Sequence, residues 1–314
     1  MNLTFCVEVS SMELYANLHL HSTHSDGKYS PTELVRVAKQ EGYRALAITD
    51  HDTATAYPEL VEACMKEGME CIFGVEFSVA KPKSYHIVAF DFDPEYPPMK
   101  QYLEDMAFRQ TDNTFCCFNE AVEKGDITGI TWDEVLEYNK GIAWLCNEHV
   151  FNAMLAKGLV EQCNYMAWFN KNFRHQRGHY PPKKEFMPLP ELLKLIKEAG
   201  GFAIVAHPAG LLDDIDRLIE YGIEGLEALH PDLSEDEKKR ALRIALEKDL
   251  YVGGGSDHSG LCGGCYSAFP NEEELKKSPL YIPDFSVGTS KEFYEEIKNR
   301  RINREYRAQI AKND

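Results

Sequence analysis

A short alternating stretch near the start of the chain ends in two histidines. Tyr15-Ala16-Asn17-Leu18-His19-Leu20-His21 puts Leu18 and Leu20 on one face of a strand and His19 and His21 on the other. The same kind of ending recurs down the chain. Asp26 falls in the loop that follows, and His51 comes just after the apolar residues 45–49. Glu76 lies near the end of residues 70–77, and His86 within residues 85–91. His207 closes residues 202–206, and Asp257 and His258 follow residues 250–255. So many imidazoles and carboxylates are hard to bury together without a countercharge. Divalent cations resolve the conflict, because neutral imidazole and carboxylate both ligate Zn, Fe or Mn. The fold must therefore gather strand ends on one side.

The helical signals supply such a fold. Ser30-Pro31-Thr32-Glu33 reads as an N-cap, a proline at N1 and a glutamate at N3, opening a helix that Gly42 stops. A helix near residues 58–66 follows. Further helices at 189–199, 213–221 and 234–248 alternate with strands at 202–206, 223–229 and 250–255. About seven strands alternating with helices imply α/β architecture, with a mostly parallel sheet or a barrel whose C-terminal strand ends carry the chemistry. Between residues 94 and 188 the rhythm changes to helices, one near 99–124 and another near 149–157. The expected organisation is a first barrel part at 13–94, a helical insertion over the active site at 95–187, a second barrel part at 188–275 and a helical extension at 276–314.

Charge limits the partners. With 51 acidic against 34 basic residues the formal charge is −17, which disfavours long nucleic acids and anionic membranes. A small phosphorylated substrate stays compatible, because bound cations reverse the sign locally. No apolar run approaches the roughly 18 residues of a membrane helix, and the N-terminus carries no export-signal pattern. The nine cysteines are odd in number and irregular in spacing, so reduced thiols in the cytoplasm are expected. Cys262-Gly263-Gly264-Cys265 reads as a glycine-rich loop carrying two thiols. Tyr165, Trp168, Phe169 and Phe173 have helical spacing and read as core of the insertion.

Several motifs together resemble the polymerase-and-histidinol-phosphatase (PHP) superfamily, and within it the small bacterial phosphoesterases that act on nucleotides. They are Asn17-Leu18-His19-Leu20-His21-Ser22 with Ser25-Asp26-Gly27, Ile48-Thr49-Asp50-His51-Asp52-Thr53, Gly74-Val75-Glu76-Phe77-Ser78, His86-Ile87-Val88, Ala206-His207-Pro208 and Gly255-Ser256-Asp257-His258. The resemblance implies a distorted seven-stranded (β/α)7 barrel with a helical insertion domain and two or three divalent metal ions (Mn, Fe or Zn). One ion would take His19, His21, Glu76 and Asp257; a second, Glu76, His86 and His207; a third, Asp26, His51 and His258. The family pattern is Ser-Asp-x-His, whereas here His258 directly follows Asp257. Adjacent strand residues face opposite ways, so His258 reaches the third ion only if the backbone turns, as Gly253, Gly254, Gly255 and Gly260 permit.

The implied reaction is hydrolysis of a small phosphate ester, such as a nucleotide monophosphate, bisphosphate or cyclic nucleotide. The nucleophile would be a metal-bridging hydroxide. Coordination takes the pKa of water from about 15.7 to about 7, on the order of 12 kcal/mol toward hydroxide. Asp26, His207 and His230 are the expected catalytic groups, with His230 or waters on His207 protonating the leaving oxygen. In the insertion the family's Arg-Pro-His becomes Asn147-Glu148-His149. His149, Lys171 and Arg177 are the expected substrate contacts, with Arg174 and Lys183 nearby. Short oligonucleotides are compatible substrates. A metal-dependent amidohydrolase also opens with His-x-His on a barrel strand, and a non-catalytic metal or nucleotide sensor is the third alternative. Thr49-Asp50-His51-Asp52 and Glu76 favour the phosphoesterase.

Overall fold

A computed structural model of the chain describes residues 13–79, 85–174, 186–258 and 287–310, except for the side chains of 163, 174 and 301–310. The fold is mixed α/β, as expected. Strands β1 (Ala16–Asn17), β2 (Ala45–Leu46) and β3 (Glu70–Cys71) form a parallel sheet in that order. Helices α1 (Pro31–Gln40) and α2 (Tyr57–Glu67) make the crossovers. The expected capping box opens α1: Ser30 Oγ accepts from the Glu33 N–H while the Glu33 carboxylate accepts from the Ser30 N–H. Leu34, Val35, Val37 and Ala38 then face the core.

The second sheet runs β4 (Gly74–Val79), β5 (Tyr85–Phe90), β6 (Phe202–Val205), β7 (Gly225–Leu229) and β8 (Tyr251–Gly254). Pairs β4–β5 and β5–β6 are antiparallel, and β6–β7 and β7–β8 are parallel. The sequence suggested seven strands and a mostly parallel arrangement; the described residues form eight strands, and β5 runs against both neighbours. A connection as short as the one between β4 and β5 makes a hairpin, because a parallel return needs a dozen or more residues. The extra strand arises because residues 70–77, read as one strand, divide: β3 pairs with β2, and the chain then changes sheet at Gly74. A Cβ on Gly74 would lie 3.0 Å from both Phe90 and Thr49 side-chain atoms, so a side chain there would crowd the junction.

Neither sheet closes on itself. Their edges meet at parallel bridges, His51 with Glu76 and Leu20 with His258. Leu18 N–H also donates to Gly254 O at 3.1 Å, and Asp257 N–H to His19 O at 2.9 Å. Both seams are thus built from residues at the strand ends that carry the site.

Helices α3 (Pro97–Glu123), α4 (Trp132–Tyr138), α5 (Asn147–Ala156) and α6 (Tyr165–Phe169) bury an apolar cluster of their own around Phe118, Val150, Phe151 and Trp168. Tyr165, Phe169 and Phe173 belong to it, as their spacing suggested. Helices α7 (Leu189–Glu198), α8 (Ile215–Tyr221) and α9 (Glu235–Glu247) cover the second sheet. The last helix, α10 (Lys291–Ile310), packs Tyr294 and Ile297 beneath Ala16 and Phe202. Among the described residues no helix is long and apolar enough to cross a membrane. Cys64, Cys71, Cys116 and Cys146 are thiols rather than disulfides; Cys262 and Cys265 lie outside the described residues.

The β1–β8 seam leaves no room for a methyl group. A Cβ on Gly255 would sit 2.3 Å from the His19 backbone nitrogen. Gly255→Ala is therefore expected to push the strands apart at His19 and to cost about 1–3 kcal/mol, read as a lower urea midpoint. An unchanged midpoint would show that the two strands are not in such close contact.

Candidate metal centre

Short polar side chains fix the strand ends. Asn17 Nδ2 donates to Ser256 Oγ at 2.9 Å and its Oδ1 accepts from the Ser256 N–H at 3.1 Å, which brings the turn carrying Asp257 against His19 and His21. Asp50 accepts from the Ser22 N–H at 2.7 Å, Ser22 Oγ at 2.6 Å and Ser25 Oγ at 2.5 Å, holding the loop that presents Asp26. Asp52 accepts from the Ser78 N–H and Oγ, both at 3.0 Å, next to Glu76. Asp52, His207 and Asp257 have φ of 49°, 28° and 51°. For residues other than glycine that backbone is costly and is kept where the surroundings impose it.

Glu76 is fully buried at the middle of the assembly. Its Oε2 faces His51 Nδ1 at 3.0 Å, His21 Nε2 at 3.3 Å and His19 Nε2 at 3.4 Å. Its Oε1 faces His86 Nδ1 at 2.9 Å and His207 Nε2 at 3.1 Å. Asp257 Oδ1 lies 2.9 Å from His21 Nε2 and 3.5 Å from His19 Nε2. Asp26 carboxylate oxygens lie 3.3 Å from His21 Nδ1 and 3.7 Å from His51 Nε2. The ligand atoms group as His19, His21, Glu76 and Asp257; as His51, Glu76 and His86; and as His21, Asp26 and His51, each set within 4.8 Å.

Without cations these groups compensate one another. Burial alone would lower the His21 pKa, but Asp26, Asp257 and Glu76 outweigh it and raise it to about 9. His207 is likewise raised to about 9, burial being overcome by Glu76 and Asp257. His51 goes the other way, to about 3, because burial and the neighbouring rings of His21 and His86 prevail over Glu76. The rings of His86, His51 and His19 hold Glu76 well below the usual carboxylate range despite its burial. The compensation is incomplete: His21 Nδ1, His51 Nδ1 and Glu76 Oε2 are buried and make no hydrogen bond. A buried set of imidazole nitrogens and carboxylate oxygens left in this state is what divalent Zn, Fe or Mn takes as ligands.

Eight of the nine expected ligands meet here. His258 does not join these groups; after the turn at Asp257 its ring lies parallel to Tyr29, with centroids 6.3 Å apart. His230 is completely buried, with its Nε2 3.6 Å from Asp257 Oδ2. Its Nδ1 accepts from the Asp232 N–H at 3.1 Å, so in the neutral ring the proton is on Nε2. His149 has both nitrogens engaged: Nδ1 accepts from the Cys146 N–H at 3.0 Å, and Nε2 donates to Thr23 O at 3.0 Å. It thereby ties α5 to the loop bearing Asp26. Lys171 pairs with Asp126 at 2.9 Å. Arg177 and Lys183 lie outside the described residues.

Other contributors were not singled out from the sequence. Trp144 lies over His51, with centroids 6.1 Å apart and planes 26° from parallel. Glu148 is buried against Tyr165 and Asn147, and burial with the Asp26 charge pushes its carboxyl up to about 7. Glu227 lies in β7 directly behind His19 and His207. The signal that pointed to Glu76, a glutamate inside an apolar strand, is equally present in Gly225-Leu226-Glu227-Ala228-Leu229.

Comparisons with known proteins bear on the family. A family model described as the PHP domain matches residues 17–187. A 5'-3' exoribonuclease of Haemophilus influenzae is 32% identical over 259 residues, covering 79% of this chain and 90% of the relative. A phosphoribosyl 1,2-cyclic phosphate 1,2-diphosphodiesterase of Eggerthella lenta is 26% identical, covering 79% of this chain and 95% of the relative. The solved structure of a candidate metal-dependent phosphoesterase from Bifidobacterium adolescentis superposes with a TM-score of 0.65 at 26% identity, covering 84% of this chain and 95% of that one.

Proposed function

The chain belongs to the PHP family and is a metal-dependent phosphoesterase, and on that premise we propose that it hydrolyses a small phosphate ester of nucleotide type: a nucleoside monophosphate, bisphosphate or cyclic nucleotide. One observation carries the reading. Glu76 divides its two oxygens between two groups of imidazoles, the arrangement needed for one carboxylate to bridge neighbouring cations.

We assign two or three ions, Mn, Fe or Zn, to this centre. His19, His21, Glu76 and Asp257 would hold one, and Glu76, His86 and His207 a second with His51 alongside. Asp26 and His51 would hold a third, with His21 at its edge. When bound, such ions polarise phosphoryl oxygens and lower the pKa of coordinated water to about 7.

The remaining roles follow from exposure. The side chains of His86, His207, Asp257, Asp26 and His51 are 30%, 22%, 22%, 19% and 18% exposed, so the substrate phosphate approaches across them. Water held beside Asp26 and His207 would pass a proton to the leaving oxygen, since both side chains are themselves assigned as ligands. His230, sealed behind Asp257, instead steadies that carboxylate. Trp144 brings an apolar surface from the insertion against His51. The two sheets, joined at their edges, serve as the distorted barrel. The helical segment 95–187, with its own core, acts as the cover that selects substrate. A chain of net charge −17 suits a small ester or a short oligonucleotide better than long nucleic acid.

The test is product release from mixed panels of nucleotides, cyclic nucleotides, short oligonucleotides, amides and lactones, with Mn, Fe(II) or Zn supplied. Phosphate or nucleotide release is the expected outcome. Ammonia or carboxylate release would make the chain an amidohydrolase, and tight nucleotide binding with no turnover would make it a sensor.

A further inference from the structure

Glu227 is fully buried, and each of its oxygens is engaged by a different arm of the metal centre. Oε1 lies 2.9 Å from His19 Nδ1. Oε2 accepts the backbone N–H of His207 at 2.8 Å, at the residue whose φ is 28°. A carboxylate can only accept, so the His19 proton on this side resides on Nδ1. The ring's other nitrogen faces Glu76 Oε2 and Asp257 Oδ1, 3.4 and 3.5 Å away, and is the one left to ligate once a cation takes the place of its proton.

We propose that Glu227 is a positioning residue: it fixes His19 in the one tautomer that can ligate through Nε2, and it holds His207 in its strained turn, so that one side chain on β7 aligns ligands from β1 and β6. The proposal rests on the metal-centre reading above. Glu227 groups with His19 and His230 as if these three could themselves hold an ion. Three observations favour positioning over ligation. Oε1 is occupied by the His19 ring, Oε2 by the His207 amide, and the His230 nitrogen nearest Glu227, at 4.0 Å, is the one that bears a proton. An ion there would have to displace all of these.

Glutamine separates the roles while keeping the volume. Its amide has one accepting oxygen for two donors. If the oxygen stays with His207, the NH2 group faces His19 Nδ1 and drives the proton to Nε2, where it blocks ligation. If it turns to His19, the His207 amide is left buried and unmatched.

Zinc alone is the probe, added to the 314-residue chain. Equilibrium dialysis is expected to show one zinc site weakened about 10–100-fold in Glu227→Gln, with a wild-type circular-dichroism spectrum. In the zinc-loaded wild type, long-range proton–nitrogen NMR is expected to place the His19 proton on Nδ1; this measurement needs no variant. Equal zinc affinity in a folded Glu227→Gln, or a wild-type His19 protonated on Nε2, overturns the proposal. A wild type that binds no zinc, manganese or iron overturns the metal reading itself, which distinguishes the two failures.

Discussion

Replacing Glu76 with alanine is expected to end catalysis and empty the metal centre together. Phosphate release should fall by about a thousandfold or more, on the order of 4 kcal/mol of transition-state stabilisation. The reason is geometric. Five imidazoles, His19, His21, His51, His86 and His207, lie within 3.4 Å of one or other Glu76 oxygen. No other carboxylate among the described residues faces all five. Truncation removes the shared ligand and leaves rings that repel one another when protonated and have no common partner when neutral. The surface variant Glu67→Gln breaks exposed pairs with Lys39 and Arg36 on the far helices and is the control, expected to keep wild-type rates. A Glu76→Ala protein that retains a tenth of the rate would remove Glu76 from the mechanism.

The second large effect is in pH. At pH 7.5 the ion-free protein carries protons on His21 and His207, whose pKa values are both about 9, and on His19, where burial is overcome by Glu227, Glu76 and Asp257 and the ring is held well above the usual imidazole range. Ligation requires neutral imidazole, so loading must expel those protons. Calorimetric titration with zinc in buffers of different protonation enthalpy is expected to report about two to three protons released per chain. Apparent affinity should then climb about 100- to 1000-fold per pH unit below pH 9. Stability of the ion-free protein should move oppositely. A histidine whose pKa is raised on folding stabilises fully below its unfolded value of 6.5 and loses that contribution as pH passes the folded value. The ion-free protein should therefore weaken between about pH 6.5 and 9, by up to about 3 kcal/mol per ring. Release of less than one proton, or an ion-free protein whose stability rises across that window, would contradict the charge arrangement described.

Much of the centre was legible because strand periodicity and ligand chemistry coincide in the sequence. His19 and His21 are two apart and share a face, Glu76 and His86 lie within strands, and His207 and Asp257 follow apolar runs that the fold makes strands. The Ser30–Glu33 box was readable because capping is local. The division of residues 70–77 was not, since it depends on which strand each half meets. Gly74 was its only local mark, and a glycine in a strand has several explanations. His258 shows the limit of counting residues between ligands. The positive φ at Asp257 is imposed by long-range contacts with Asn17 and His19, and it sends the next ring toward Tyr29. Lys171 read as a substrate contact because of its charge, but its partner Asp126 is distant in sequence. Glu227 carried the same signal as Glu76 yet belongs to no short motif around a histidine, and only the fold reveals that it backs His19.

The most direct test is the metal content of the wild-type chain and of Glu76→Ala, each saturated with manganese, iron or zinc, desalted and assayed by elemental analysis. The expected result is two or three equivalents per wild-type chain and less than one in the variant. Metal-free wild type, or the same count in both proteins, would contradict the claim that a carboxylate shared among these imidazoles organises the centre.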